Sequence, residues 1–209
     1  MKAVICERYG GPEVLELKDE DKPLPKENEV LIRIYSAAVN SGDVRLRKAD
    51  PFAVRFMSGL LRPSHRIPGI VFSGEIEAVG TGVNLFKAGD KVYGMSLKNF
   101  GAYAEYICVP QDGIVTKIPV NLLYDEAASI VFGSTSALHF LRKANITKGQ
   151  KVLIYGASGA VGTAAVQLAK HFGAEVTGVC STVNVAFVTA LGAGKVVDYI
   201  KEDFSKSGE

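Results

Sequence analysis

The feature that most constrains the fold is a short apolar stretch that runs into a glycine-rich turn. Residues 151–162 read Lys-Val-Leu-Ile-Tyr-Gly-Ala-Ser-Gly-Ala-Val-Gly, and apolar residues then recur at helical spacing from Thr163 to Phe172. A strand, a glycine turn and a helix in this order is the arrangement that binds the pyrophosphate of a dinucleotide. The glycines let the backbone approach the phosphates, and the helix N-terminus offers unbonded N–H groups with partial positive charge.

The glycine spacing is weak evidence when taken alone. It reads GxxGxxG rather than GxGxxG, and the alternative is an ordinary tight turn between a strand and a helix. A second strand at 175–180, a helix at 183–191 and a third strand at 195–199 follow at βαβαβ spacing, which favours nucleotide binding. The predicted phosphate-binding residues are Gly156, Ser158, Gly159, Ala160, Val161 and Gly162.

Composition indicates an ordinary globular chain, with 209 residues, 47% of them hydrophobic and 22% charged. The net charge of +2 is too small to favour nucleic acid or an anionic membrane surface as a partner. No apolar run reaches the ~18 residues that span a bilayer, and the N-terminus turns polar too early for a signal peptide. Cys6, Cys108 and Cys180 form no CxxC pair and are interpreted as buried thiols in a reducing cytoplasm. We therefore expect a cytoplasmic protein with a small-molecule substrate.

Two different patterns divide the chain. Residues 1–124 carry short strands punctuated by glycine and proline, which is typical of a compact, largely antiparallel, barrel-like domain. Residues 125–209 begin with a helix at 125–144 and continue as the α/β unit described above. In residues 50–66 apolar side chains alternate with basic ones, which predicts a short helix with a basic outer face. We expect this helix to pack on the domain; the alternative is a helix that binds a membrane surface or a partner. The predicted strands of the first part are 2–6, 15–17, 29–38, 72–79, 91–95, 102–110 and 113–117.

Four stretches occur in a characteristic order, at residues 10–15, 38–43, 68–92 and 152–169. Together they resemble the zinc-independent quinone oxidoreductase branch of the medium-chain dehydrogenase/reductase superfamily, over essentially the whole chain. The resemblance implies a GroES-like barrel domain followed by a partial Rossmann domain, with the active site in the cleft between them. It also implies hydride transfer from a nicotinamide cofactor, usually NADPH, to a quinone, an enone or a carbonyl. Members of this family are commonly homodimers.

The positions that bind catalytic zinc in the zinc-dependent relatives hold no ligand here. They are occupied by residues 40–43 and 69–71, which contain neither His nor Cys, and the structural four-cysteine lobe is missing as well. His65 lies nearby, but one imidazole cannot make a tetrahedral site. We therefore expect no zinc, so that catalysis relies on positioning and on hydrogen bonds to the acceptor oxygen.

The resemblance implies that Asn40 and Asp43 line the substrate site. Asn40 can donate a hydrogen bond to the acceptor oxygen, and Asp43 could orient Asn40 or relay a proton. The alternative is a turn at the end of a strand, since Asn-Ser-Gly-Asp is rich in turn residues. The family often has a tyrosine two residues after this aspartate, where Arg45 stands here. Ser136 matches a threonine beside the nicotinamide, although a helical serine often bonds its own backbone instead.

Cofactor preference depends on the end of the second strand of the α/β unit. Residues 179–182 contain no Asp or Glu to bind the ribose hydroxyls, which argues against NAD. In NADPH-using relatives a serine is followed closely by a base. Ser181 matches the serine, but Val183 stands where the base is expected. Tyr199 matches a family tyrosine that lines the adenosine site; the alternative is a surface aromatic residue at a strand end. Taken together, these residues favour NADPH over NAD as the cofactor.

Only three of the six strands of a full dinucleotide-binding fold are present in the sequence. We therefore expect the strand at 151–155 to lie at an exposed edge, and the chain to lack the C-terminal third of the family fold. A fragment of a longer protein and a frame-shifted product are favoured over a functional short form completed by a partner. Two other functions stay open: a non-catalytic nucleotide-binding or redox-sensing relative, and a carbonyl or alcohol dehydrogenase of the same family.

Overall fold

The structure, a computed structural model, describes residues 1–206. The chain separates into two compact units, Met1–Val131 and Phe132–Glu209. The division falls inside a long helix, α3 (Tyr124–Lys143). Each unit has its own apolar core.

The first unit is built on antiparallel strands. β1 and β2 pair as a two-stranded sheet, and the remaining strands form a five-stranded sheet in the order β6-β3-β4-β5-β7. Alternate residues of a strand face the same side, and Val30 and Ile32 of β3 are both fully buried together with Phe72 and Ile76 of β4. The strands are β1 (Lys2–Cys6), β2 (Leu15–Asp19), β3 (Glu29–Ala38), β4 (Val71–Val79), β5 (Lys91–Met95), β6 (Tyr106–Pro110) and β7 (Ile114–Lys117).

Two helices of the first unit differ from the sequence-based expectation. α1 (Ser41–Lys48) begins shortly after β3, where the sequence offers a turn at the strand end as one alternative and no helix is predicted. The helix predicted over 50–66 is wrong for most of its length, because only a 3₁₀ turn (Phe52–Val54) and a single α-helical turn, α2 (Arg55–Ser58), form there. α2 ends at Gly59, whose φ of +115° is incompatible with a right-handed helix.

The second unit is a parallel α/β structure, which confirms the predicted βαβαβ order. Its sheet has the order β10-β9-β8, and both pairs of strands are parallel. Val166, Val179, Val188 and Val197 are fully buried at its centre. Its elements are α3 (Tyr124–Lys143), β8 (Lys151–Tyr155), α4 (Ala160–His171), β9 (Glu175–Cys180), α5 (Val185–Ala190) and β10 (Lys195–Asp198).

β8 lies at one end of this sheet and pairs with β9 alone among the described strands. Two of its large apolar side chains are poorly covered, since Leu153 is 49% exposed and Tyr155 is 65% exposed. The exposed edge expected from the sequence is therefore present, and an apolar edge of this kind is a template for further strand pairing. Across residues 1–206, no helix has both the length and the apolar character needed to cross a bilayer.

Candidate functional site

The glycine turn after β8 is tied to β9 by its backbone. The N–H groups of Gly156 and Ala157 both donate to the carbonyl of Val179 at 3.0 Å, and the N–H of Gly159 donates to the carbonyl of Gly156 at 3.0 Å. Gly156 has a φ of +73°, in the left-handed region that glycine adopts without strain. These bonds fix the turn directly before the first residue of α4.

The N-terminus of α4 presents backbone donors that the chain leaves unused. Gly159 is the N-cap residue and makes no side-chain cap. In the described chain, the N–H groups of Ala160, Val161 and Gly162 donate no hydrogen bond. Such groups are satisfied by water or by an anion. The structure thus brings these residues together with Ser158 and the earlier glycines in one turn, and their role in phosphate binding stays a prediction.

The glycines of the turn have two different uses. A Cβ atom on Gly162 would lie 2.8 Å from the Ala157 Cα and would collide with the Gly156 carbonyl oxygen, so only glycine lets α4 pack this closely on the turn. A Cβ on Gly156 would meet nothing within 4 Å, and one on Gly159 only the Gly156 carbonyl at 3.4 Å. The backbone at these two positions is therefore open to a ligand. Unused donors beside open backbone are what a pyrophosphate requires.

A polar cluster forms where β9 and β10 end. Ser181 Oγ lies 3.0 Å from Asn184 Nδ2, which donates to it, and Thr182 Oγ1 donates to Asp198 Oδ2 at 2.6 Å. The Thr182 hydrogen bond, together with a backbone N–H and the charge of Lys201, holds the pKa of Asp198 below its usual range. Lys201 pairs with Asp198 at 3.6 Å. The sequence does not reveal this cluster, because it depends on β9 and β10 being neighbours.

Tyr199 lies directly after β10, at the same end of the sheet as the glycine turn. Its N–H donates to the carbonyl of Cys180 at 3.1 Å, and its side chain is 45% exposed. Its ring centroid lies 6.4 Å from that of Tyr155. Tyr199 is thus an exposed aromatic residue at a strand end, and its role in lining an adenosine site stays a prediction.

Ser136 lies on α3, half-buried, one turn after Gly133. A Cβ on Gly133 would lie 2.9 Å from the Ala160 carbonyl carbon, so α3 packs its backbone against the first turn of α4. Residues three apart share a helix face. Ser136 is therefore on the side of α3 that faces the N-terminus of α4.

Asn40 and Asp43 form a capping box at the start of α1. Asn40 Oδ1 accepts hydrogen bonds from the N–H groups of Gly42 at 2.7 Å and Asp43 at 3.3 Å, and Asp43 Oδ2 accepts from the Asn40 N–H at 2.9 Å. Because both donors use Oδ1, the orientation of the Asn40 amide is fixed and its Nδ2 group is left over. Asn40 Nδ2 is buried and has no protein partner in the described chain.

Both residues of this capping box carry a buried side-chain atom without a partner. Within residues 1–206 there are four, and three of them are Asn40 Nδ2, Asp43 Oδ1 and Tyr103 Oη. Native structures contain few such atoms, and a cluster of them indicates a site for a polar ligand or water. Burial raises the pKa of Asp43, and burial together with the Asp43 charge raises the pKa of Tyr103. Sequence reasoning missed Tyr103, which is distant along the chain.

Asp43 also borders a small pocket of the first unit. The pocket has a volume of about 40 Å³, which is room for about two or three water molecules. Its lining is mostly apolar, but it includes the side chains of Cys6, Tyr9, Arg47 and His65. Asp43 is only 7% exposed, so its unpartnered oxygen is effectively shielded from bulk solvent.

In the part of the chain that the structure describes, no three His, Cys, Asp or Glu side chains are grouped so that they could hold a metal ion. His65 instead lies with its Nδ1 3.1 Å from Ser64 Oγ and its ring edge-on to Phe100, at 5.1 Å between centroids. Ile70 and Val71, at positions where the zinc-dependent relatives have ligands, are buried apolar residues.

The raised pKa of Asp43 predicts a pH-dependent contribution to stability. An acid with a higher pKa in the folded state binds its proton more tightly there, so its contribution to the free energy of unfolding falls as pH rises from its ordinary pKa through the raised one. Asp43→Asn removes the titration but keeps an oxygen that can accept from the Asn40 N–H. We expect urea denaturation to show the wild type losing stability relative to Asp43→Asn as the pH rises above about 4, the ordinary pKa of an aspartate. A difference that stays flat or rises over this range would contradict the burial of this carboxyl.

Comparison with known families agrees with this architecture. Residues 26–120 match the alcohol dehydrogenase GroES-like domain. An antiparallel domain of this family followed by a parallel dinucleotide-type unit defines a medium-chain dehydrogenase/reductase.

Similarity to individual relatives places the chain in one branch of this superfamily. The chain is 38% identical to the quinone oxidoreductase of Sus scrofa over 87% of this chain and 53% of the relative. It is 36% identical to 2-methylene-furan-3-one reductase of Solanum lycopersicum over 98% of this chain and 53% of the relative. The solved quinone oxidoreductase of Coxiella burnetii superposes with a TM-score of 0.91 at 35% identity, covering 100% of this chain and 65% of that one. The chain therefore belongs to the quinone oxidoreductase branch of the superfamily, and it spans about half the length of the curated relatives it matches.

Proposed function

We propose that this chain belongs to an NADPH-dependent, zinc-free oxidoreductase that transfers hydride to a quinone, an enone or another activated carbonyl compound. The observation that carries the proposal is the turn before α4, where three unused N–H groups adjoin open glycine backbone. Two relatives support the cofactor and the substrate class. One is named an NADPH-dependent alkenal/one oxidoreductase of Arabidopsis thaliana, and the other is the Escherichia coli quinone oxidoreductase solved in complex with NADPH.

The residues of the turn would hold the cofactor through its pyrophosphate. The N–H groups of Ala160, Val161 and Gly162 would donate to phosphate oxygens, and the open backbone at Gly156 and Gly159 would allow close approach. Bound NADPH supplies the hydride. The residues of the turn would contribute by holding the cofactor in a fixed orientation, so that hydride transfer takes place between positioned reactants.

Asn40 would stabilise the acceptor as it is reduced. Its Nδ2 group can donate to the acceptor oxygen, where negative charge develops during hydride transfer. The amide is already oriented by the two backbone donors on Oδ1, so donation requires no rearrangement. Such preorganised donors typically contribute about 10²–10³ in rate.

A preference for NADPH over NADH is supported by the end of β9. Asp198, which is only 7% exposed, is bonded to Thr182 and paired with Lys201, so it does not offer a free carboxylate to ribose hydroxyls. Ser181 is half-buried and offers its hydroxyl at the strand end. Lys201 adds a cation at this end of the sheet, where the sequence has Val183 in place of the expected base.

Placing a carboxylate at the strand end should reverse this preference. In Ser181→Asp, the new charge would repel a 2′-phosphate and accept hydrogen bonds from ribose hydroxyls. We expect the Kd for NADPH to rise about tenfold or more and the Kd for NADH to stay the same or fall, as measured by isothermal titration calorimetry. Ser129→Asp, which adds the same charge on an exposed face in the first unit, should leave both constants unchanged. Equal weakening of both cofactors in Ser181→Asp would argue against a 2′-phosphate site here.

The activity itself is tested by following NADPH oxidation with a simple quinone and with an enone. Consumption that persists after treatment with a chelator supports the zinc-free proposal, which otherwise rests on the poor ligand chemistry of Asn40, Ile70 and Val71. Binding of NADPH without turnover would favour the non-catalytic relative instead. Turnover confined to alcohols would favour the dehydrogenase alternative.

The proposal also covers the cellular location and the oligomeric state of the protein. Three free cysteines in the described chain support a reducing, cytoplasmic environment. A homodimer is proposed from the family resemblance alone, and light scattering tests it directly.

A further inference from the structure

The phenol of Tyr103 is a buried polar group that the proposed function does not use. Its ring packs on Gly69, where a Cβ atom would lie 2.8 Å from Tyr103 Cε1, and Gly69 has a φ of +92°. Gly69 and Asp43 border the same pocket. Tyr103 Oη and Asp43 Oδ1 are each buried, and neither makes a hydrogen bond within the described part of the chain.

These two oxygens are chemically complementary. A phenol has one O–H to donate, and an ionised carboxylate accepts. The groups already sense each other, because the Asp43 charge raises the pKa of Tyr103 while the Tyr103 hydroxyl opposes the rise that burial causes in the pKa of Asp43. The backbone supports this pairing, because the Tyr103 N–H donates to the carbonyl of Pro68, which borders the same pocket as Asp43. Catalytic hydrogen bonds that are incomplete in the unliganded protein commonly tighten when a substrate binds.

Other groups near Asp43 are engaged elsewhere. The Arg47 guanidinium donates to the carbonyl of Gly10 at 2.9 Å, the Cys6 thiol to the carbonyl of Arg8 at 3.4 Å and the Tyr9 hydroxyl to the carbonyl of Gly59 at 2.5 Å. His65 pairs with Ser64, as described above. In the described part of the chain, no Lys, Arg or His nitrogen lies within 4.0 Å of the Asp43 carboxylate.

We propose that Tyr103 is a positioning residue for Asn40, whose hydroxyl donates to Asp43 Oδ1 and so keeps the other carboxylate oxygen on the Asn40 N–H. The proposal rests on the proposed function, in which Asn40 donates to the acceptor. Ionised Asp43 completes the capping box that holds the Asn40 backbone, while Asn40 Oδ1 is held by Gly42. Loss of the phenol would favour protonated Asp43 and loosen the Asn40 backbone.

The test is Tyr103→Phe, with Tyr93→Phe as a matched control that removes a half-buried phenol from β5. We expect carboxyl-carbon NMR to show the pKa of Asp43 rising by about one unit in Tyr103→Phe and staying unchanged in Tyr93→Phe. The acid limb of the kcat/KM profile for NADPH-dependent reduction should move to higher pH by the same amount. A purely structural role for the ring would change rates without moving either quantity.

The outcomes separate this proposal from the proposed function. An unchanged pKa of Asp43 in Tyr103→Phe overturns the inference, and so does a changed pKa with an unmoved acid limb. If the protein shows no turnover, the proposed function fails, and the inference is judged by whether the Asn40 Nδ2 resonances follow the titration of Asp43. If Tyr103→Phe does not fold, the Tyr103 Cζ resonance of the wild-type protein is measured instead. Its chemical shift should change with the titration of Asp43 in the wild type and should not change in Asp43→Asn. A Tyr103 Cζ resonance that does not follow the Asp43 titration overturns the inference.

Discussion

Replacing Gly162 by alanine should lower both the stability of the second unit and its affinity for NADPH. The added methyl group would meet the backbone of Ala157 and the Gly156 carbonyl, neither of which can rotate away. We expect the free energy of unfolding to fall by about 2–3 kcal/mol, as in strongly overpacked sites. Moving α4 off the turn would also misplace its phosphate donors, so the Kd for NADPH should rise about 100-fold. Urea denaturation and calorimetry measure the two effects.

Gly159→Ala is the matched control, because it adds the same methyl group three residues earlier. Gly159 has a φ of −82°, which alanine adopts freely, and its nearest contact would be 3.4 Å away. We expect stability to change by less than about 0.5 kcal/mol, while NADPH binding weakens because the methyl group covers open backbone. Normal stability in Gly162→Ala would contradict the close packing of helix on turn. Normal affinity in both variants would contradict phosphate binding at this site.

Asn40→Ser should remove most of the proposed oxidoreductase activity and leave the fold intact. Serine is a good N-cap, so its hydroxyl can replace Asn40 Oδ1 in accepting from the backbone of α1. It has no amide group to reach the acceptor oxygen. We expect kcat/KM to fall about 10²–10³-fold, with the free energy of unfolding changed by less than about 0.5 kcal/mol.

Asn40→Ala separates capping from catalysis. Alanine lacks both the cap and the donor, so this variant should match Asn40→Ser in rate and be less stable by about 1 kcal/mol. Steady-state reduction of a quinone and urea denaturation provide the two measurements. Wild-type rates in Asn40→Ser would show that the unpartnered Nδ2 group does not act on the acceptor.

Regular strands were the best predicted part of the fold. The bounds of β1, β3, β5, β8 and β9 agree with the sequence-based ranges, because each is a short apolar run bounded by turn residues. The glycine turn after β8 could also be predicted, since its donors and its glycines are contiguous in sequence, and its role in phosphate binding stays a proposal. These features depend on local chemistry alone.

The helices around Asn40 were harder to predict. α1 begins with Asn-Ser-Gly-Asp, and the same residues that cap a helix also form turns, so only the bonds they make distinguish the two. In the segment 50–66 the apolar spacing suggested a helix, but Gly59 and Pro63 interrupt it. Phe52 and Phe56 instead remain largely exposed.

Contacts between distant segments were invisible in the sequence. Tyr103 lies against Gly69, which borders the same pocket as Asp43, and Asp198 bonds Thr182 only because β10 lies beside β9. A single sequence shows neither pairing. The candidate site could therefore be predicted where it is a motif, but not where tertiary structure assembles it.

The capping interaction at the start of α1 requires a glycine at position 42. A Cβ atom on Gly42 would lie 2.8 Å from Asn40 Oδ1, closer than carbon and oxygen normally approach. Any larger residue there would push on the amide whose other end is proposed to serve the acceptor. The position of the Asn40 amide thus depends on the absence of a side chain at Gly42.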